Sequence, residues 1–218
     1  ACATKSLVVF VLTSEGFVLT VTNQQPVSVK YVAGGGKGSG CPEEGSTRTV
    51  DPHAMRLVRP TGMCVCGDDV YLIVVDRGQT ATLCVVKYPA PRSKAQKTQV
   101  FRLESNLQCN FVDAAPVGAI SGACQTVVLA ADEREFCGAL LIAALTMAPG
   151  GHVEEQKRIK LDGTPCQVCV AADGINTVVT VWKRDSDEVV WVKLDDEQGR
   201  TSRLGAKFHK SQGLWGVA

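Results

Sequence analysis

The 218-residue chain has almost no net charge: 23 basic residues balance 22 acidic ones and leave +1. That balance excludes the electrostatic footprint of a nucleic-acid binder and a polybasic membrane patch. Long hydrophobic runs are missing too, and nothing approaches the roughly 18 apolar residues a bilayer span needs. The run "LVVFVL" (Leu7 to Leu12) has the length of a signal core, but it lacks a convincing cleavage site and another apolar run follows at once. Aromatic residues make up only 6% of the chain, with no aromatic-and-basic stripe of the kind that stacks single-stranded nucleic acid. Helical periodicity is nearly absent, which removes amphipathic helices from the account.

What is present is a repeated strand pattern. Apolar runs of five to seven residues recur, rich in Val, Thr, Cys, Tyr and Trp and punctuated by Gly, Asp, Asn, Ser or Pro, which is the pattern of short β-strands. "LVVFVLTSEGFVLTVTNQQPVSVKYV" from Leu7, "GMCVCGDDVYLIVVDRGQTATLCVVKYP" from Gly62, "VGAISGACQTVVLAADEREFCGALLIAAL" from Val117 and "CQVCVAADGINTVVTVWKRDSDEVVWVKL" from Cys166 each read strand, tight turn, strand, polar turn, strand. Their first turns centre on Glu15, Asp68, Gly122 and Asp173, which lie 53, 54 and 51 residues apart. A shorter, more basic segment follows each triplet: "AMRLV" (Ala54 to Val58), "QVFRLE" (Gln99 to Glu104), "KRIKL" (Lys157 to Leu161) and "TSRLG" (Thr201 to Gly205). The inner runs are almost continuously apolar, which predicts burial on both faces, whereas the charged fourth segments suit half-exposed outer strands.

Four antiparallel strands, apolar inside and charged outside, make one propeller blade. In this pattern, and over nearly its whole length, the chain resembles the β-propeller superfamily in the WD40-like style. The Gly-His and Trp-Asp marks of that family are missing. Trp182-Lys183 is not a Trp-Asp pair, and His53, His152 and His209 do not recur at blade spacing. The expected architecture is all-β and propeller-like: a single repeat domain over 1–218 with four four-stranded blades at about 6–58, 62–104, 116–161 and 165–205. "GLWGVA" (Gly213 to Ala218) reads as the start of a further unit, so we expect a segment of a larger ring, with a complete four-bladed ring as the alternative. A β-trefoil has three repeats rather than four, and tandem sandwiches would not repeat one turn pattern four times.

The candidate chemistry is thin. Ten cysteines is a high count, but they sit inside valine-rich runs such as "MCVC", "TLCVV" and "QVCVA", where a thiol behaves as a small buried hydrophobe. That favours a cytoplasmic or other reducing compartment over disulfides. Cys166 and Cys169 resemble half of a zinc site, as do Cys64 and Cys66, but residues three apart on a strand point to opposite faces. Cys64 and Cys169 each lie four residues before a turn aspartate and read as equivalent core positions. Ser121 in "GAISGA" is a turn residue rather than a nucleophile, because the spacing is not that of a nucleophile elbow. Glu15, Asp68, Asp69, Asp76, Asp132, Asp173, Asp185 and Asp187 read as solvated turns, and "DSDE" is too short for a calcium loop. Trp182 and Trp191 flank one hairpin and are expected in core or cross-strand packing.

The stretch "AGGGKGSG" (Ala33 to Gly40) looks like a phosphate cradle, but Lys37 is followed by Gly38 rather than Ser or Thr, and no helix follows. In the repeat frame, residues 33–53 form a long connection between the third and fourth strands of the first blade. The counterparts at about 89–98, 146–156 and 195–200 are shorter. Gly34, Gly35, Gly36, Lys37 and Ser39 are therefore candidates for a mobile partner-binding loop.

No convergent catalytic set, metal site or cofactor site emerges. The expected function is a non-catalytic scaffold that binds other proteins, including chains that complete the ring. The alternatives are a secreted, disulfide-bonded recognition domain and a propeller enzyme with a small-molecule site near the central axis.

Overall fold

The computed structural model describes residues 2–3, 8–22, 28–35, 43–67, 71–77, 81–88, 97–107, 109–121, 123–134, 137–171, 174–183, 186–195 and 201–209. They form sixteen strands in four four-stranded antiparallel sheets, each built from strands consecutive in the chain. The first sheet contains β1 (Cys2–Ala3), β2 (Val8–Leu12), β3 (Phe17–Thr22) and β4 (Ser28–Gly34). The second contains β5 (Pro60–Cys66), β6 (Tyr71–Arg77), β7 (Ala81–Lys87) and β8 (Gln99–Arg102). The third contains β9 (Asn110–Ser121), β10 (Cys124–Arg134), β11 (Cys137–Thr146) and β12 (Val153–Leu161). The fourth contains β13 (Thr164–Val170), β14 (Asn176–Trp182), β15 (Ser186–Lys193) and β16 (Thr201–His209). This all-β arrangement of blade-like meanders is the propeller-like fold expected.

The sheets stack face on face, and strict alternation along the strands explains the continuous apolar runs. In β6, Leu72 and Val74 pack toward the first sheet while Ile73 and Val75 pack toward the third. In β7, Cys84 and Val86 face the first sheet, and Leu83 and Val85 face the third. In β10, Val127, Leu129 and Ala131 face the second sheet, and Val128 and Ala130 face the fourth. A strand sandwiched between two neighbours has no polar face to show. The inner strands of the last three sheets share one irregularity. The register slips at Pro60/Gly62, opposite Ala130/Ala131, and at Pro165/Gln167, which leaves Thr61, Val112 and Cys166 as the extra residues. Such bulges bend the inner strand and increase its twist. Among the described residues, no core cluster joins the fourth sheet to the first, so the stack is open.

The first unit differs from the expectation. "AMRLV" (Ala54 to Val58) is not a strand, and the fourth strand of the first sheet is β1, on the inner side of β2. The backbone hydrogen bonds explain why: the N–H groups of Ala54 and Met55 fold back onto the Asp51 carbonyl, and those of Val58 and Arg59 bind the Asp76 carboxylate. None of these donors remains for a ladder. "LVVFVL" therefore lies in a second strand rather than an innermost one. The connection 35–59 runs from the outermost strand of one sheet to the innermost strand of the next. Its counterparts, 103–109 and 162–163, are far shorter. The third unit begins at Asn110 and not near 116, the fourth unit's last strand runs to His209, and the expected further unit at 213–218 lies outside the described residues.

Candidate functional site

The glycine-rich connection is pinned at its start. Gly34 and Gly35 both take left-handed conformations, with φ of 96° and 62°. The Gly34 N–H donates to the Pro52 carbonyl at 3.2 Å, and the Gly35 N–H donates to the Gly16 carbonyl at 3.1 Å. A Cβ on Gly34 would lie 1.9 Å from the Gly16 carbonyl oxygen, and one on Gly35 would run into the Phe17 ring. Beside them, Tyr31 stacks on His53, with centroids 4.8 Å apart and planes at 20°, and meets Phe17 edge-on. The Tyr31 hydroxyl donates to the Gly34 carbonyl. Burial, aided by the Asp51 carboxylate, pushes the Tyr31 hydroxyl pKa above its ordinary value. Gly34 and Gly35 are thus structural members of a tight junction. Gly36, Lys37 and Ser39, the other three candidates, lie outside the described residues.

Past the loop, residues 43–59 act as a strap. The Ser105 N–H donates to Glu44 Oε1 at 2.9 Å, and Val50 pairs antiparallel with Val100 on the edge of β8. A Cβ on Gly150, in the turn between β11 and β12, would lie 3.1 Å from Thr47 Cγ2, so the strap runs beside that turn of the third sheet. Met55 and Leu57 then enter the core between the first and second sheets.

Three acidic residues do work that the sequence did not disclose. Asp76 is not a solvated turn residue: it is only 5% exposed, lies in β6, and accepts the Val58 N–H at 3.1 and 3.0 Å and the Arg59 N–H at 2.6 Å. Asp132 lies in β10 and pairs with Arg77 at 3.5 Å, tying the second and third sheets together at their rim. Asp113, on the inner strand β9, is 8% exposed and accepts the Val168 N–H of the fourth sheet at 3.0 Å. A Cβ on Gly62 of the second sheet would fall 2.2 Å from Asp113 Oδ1, so glycine there makes room for the carboxylate. Gly62, Asp113 and Gln167 each directly follow the bulge in their own sheet. Burial raises the Asp113 pKa to about 6, against the opposing pull of the Val168 and Ala114 N–H groups.

The cysteines divide by position. Cys64, Cys66 and Cys84 are buried, with the Cys64 and Cys66 sulfurs 3.9 Å apart on one face of β5. Cys124, Cys137 and Cys166 are exposed, which the core reading missed. Cys166 is exposed as the extra residue of a bulge. Among the described residues no group of three His, Cys, Asp or Glu side chains could hold a metal ion. No helix of the described residues is long and apolar enough to cross a membrane. Ser121 ends β9 opposite Cys124. Trp182 and Trp191 do not face each other: Trp182 lies opposite Asp187, and Trp191 lies opposite Val178 and donates its indole N–H to Asn176 Oδ1 at 3.1 Å.

The broadest unassigned surfaces are the two ends of the stack. On the outward face of the first sheet, Val9, Val21 and Val29 form one cross-strand row, and Val11, Leu19 and Tyr31 form another. Most are half-buried by their neighbours, and Val29 is 62% exposed. Their counterparts in the second sheet, Leu72, Val74, Cys84, Val86 and Val100, are fully buried against the first. On the outward face of the fourth sheet, the row Cys169, Val178, Trp191 is half-buried. The corresponding row of the second sheet, Cys64, Ile73 and Val85, is buried by the third. Cys169 and Cys64 thus occupy equivalent positions, and they differ in burial because, among the described residues, only Cys64 has a sheet over it.

No known protein family matches the sequence, and no curated protein matches it. Among solved structures the chain is similar to the β-propeller domain of Nup133 from Vanderwaltozyma polyspora, at 10% identity and a TM-score of 0.44. The match covers 92% of this chain and 60% of that one.

Proposed function

We propose that the chain is a non-catalytic protein-interaction scaffold, a run of propeller blades that operates within a larger ring in a multiprotein assembly. One observation carries this reading: the outward faces of the first and fourth sheets bear the same apolar rows that are fully buried wherever a neighbouring sheet is present. An uncovered sheet face of that composition is a surface for another protein. Valine-rich strands that carry thiols in their cores support a reducing compartment. The pinned connection leading into Gly36, Lys37 and Ser39 is a second, smaller contact point on the rim.

The test is affinity capture with mass spectrometry, comparing the native chain with a Val21→Glu/Trp191→Lys double variant whose circular dichroism matches the native spectrum. We expect a defined set of captured proteins that the double variant loses. Capture that is identical for both chains would remove the end faces from the account. Replacing Lys37 and Ser39 with alanine in a third sample, which leaves Gly34, Gly35 and Glu44 in place, asks whether this connection contributes independently.

A further inference from the structure

Cys64 and Cys66 are separated by one residue on β5, and their side chains share the face turned toward the third sheet. Both are buried, at 6% and 1% exposure, and their sulfurs lie 3.9 Å apart. We infer that this dithiol makes folding conditional on redox state. The second sheet forms only while the pair is reduced, and a Cys64–Cys66 disulfide made in the unfolded chain holds that chain out of the fold. The inference does not depend on what the chain binds.

Strand geometry separates the two states. Side chains two apart on a strand point the same way, so their Cβ atoms stand about 6.6 Å apart, the advance of two residues. A disulfide needs Cβ atoms about 3.5–4.5 Å apart. The two thiols lean together until the sulfurs touch, but the extended backbone keeps them from bonding. Bonding requires the backbone around Val65 to contract, and contraction breaks the pairing of Val65 with Leu72 and of Cys66 with Tyr71. Leu72 is fully buried against the first sheet, while Cys64 and Cys66 belong to the core shared with the third, so the disturbance reaches both interfaces of the second sheet. The unfolded chain has no such restraint. There, one thiolate attacks a small disulfide such as oxidised glutathione and releases one glutathione thiol. The other thiolate attacks the mixed disulfide, closes the Cys64–Cys66 bond and releases the second. The pair has lost two electrons, the glutathione has gained them, and the two thiol protons end on the released thiols. Burial shields the folded pair from that attack. Packing itself does not call for the thiols: counted from the bulges, the third sheet has Ala115 in the place of Cys64 and Val117 in the place of Cys66.

The test is urea unfolding in glutathione buffers of rising oxidised-to-reduced ratio. It compares the native chain with Cys64→Ala and Cys66→Val, which borrow the third sheet's residues. Acid quenching, alkylation and mass spectrometry then locate each thiol. Both cysteines should carry the alkyl label in the folded chain and be joined to each other in the unfolded one. The urea midpoint of the native chain should fall with oxidation further than that of either variant, and dithiothreitol should restore it. Once the disulfide predominates in the unfolded chain, each tenfold rise in oxidised over squared reduced glutathione should lower the folded-to-unfolded ratio about tenfold more in the native chain than in the variants. The remaining cysteines are common to all three proteins and cancel in the comparison. An equal redox dependence in native chain and variants overturns the inference. So does a folded native chain that carries the Cys64–Cys66 disulfide with the amides of β5 and β6 still protected from exchange. That second result is read on the native chain alone, so it decides the matter even where a variant fails to fold.

Discussion

Asp113 is the residue whose replacement most directly tests how the sheets are held at their inner edge. Its carboxylate is buried among three sheets, with the Val168 N–H at 3.0 Å and Gly62 closely opposed. Burial lifts its pKa from 3.8 to about 6. Because the folded value lies above the unfolded one, the folded state binds the proton more tightly. The resulting stability is fully present below about pH 4 and is lost as the pH rises through about 6. A shift of about 2 units at about 1.4 kcal/mol per unit amounts to about 3 kcal/mol between those limits. Asp113→Asn keeps a carbonyl oxygen for the Val168 N–H and removes the titration. Urea unfolding of both proteins at several pH values between 4 and 7.5 yields the difference in stability, in which the other carboxylates cancel. That difference should move by about 3 kcal/mol in favour of the asparagine variant as the pH rises. A flat difference, or one that moves toward the native protein, would show that the carboxylate is solvated or paired and that the inner edge is not packed as described.

Other substitutions probe separate parts of the fold. Asp76→Ala removes the acceptor for the Val58 and Arg59 N–H groups and should lower stability by about 2–3 kcal/mol in thermal unfolding; a loss below about 0.5 kcal/mol would mean that water replaces the carboxylate. Gly34→Ala and Gly118→Ala both place a side chain at positive φ, which costs about 1–2 kcal/mol. Only Gly34 also meets backbone, whereas Gly118 has open space around it, so Gly34→Ala should be clearly the more damaging in the same assay. Cys124 and Cys137 should react quickly with a thiol reagent in the folded protein, and Cys66 only on unfolding. Cys109 should lag in folded protein even where reagent reaches it, because burial raises its pKa to about 11 and cuts its thiolate fraction about 100-fold.

The period of the first turns was enough to find four sheets, because alternating burial and turn residues repeat with each blade. The frame of the first blade was not legible. Its inner strand is only Cys2–Ala3, too short for an apolar run, while Met55 and Leu57 mimic an outer strand although their backbone is folded into turns. Asp76 and Asp113 were hidden for a related reason. An aspartate near a strand end looks the same in sequence whether it meets water or a backbone N–H from 18 or 55 residues away. A bulge inverts alternation locally, which is why Cys166 is exposed in a run that reads as core. The outward faces of the end sheets depart from the expectation of burial on both faces: their rows are half-buried and Val29 is 62% exposed, because no sheet among the described residues covers them.

The strap has a consequence for how the molecule comes apart. In a stack of repeats each unit is coupled to its nearest neighbours, and the ends fray first. Residues 43–59 break that rule at one end. They lodge Met55 and Leu57 between the first two sheets, pair with β8, and reach as far as Gly150 in the third. Loss of the first sheet would then expose the edge of β8 and one side of a turn two sheets away. Three sheets become a single cooperative block at this end, whereas the fourth is coupled, among the described residues, to the third alone, through their shared core, the Asp113–Val168 hydrogen bond and the short link at 162–163. Fraying is thereby directed to the fourth sheet, and amide protons there should exchange with solvent before those of the first.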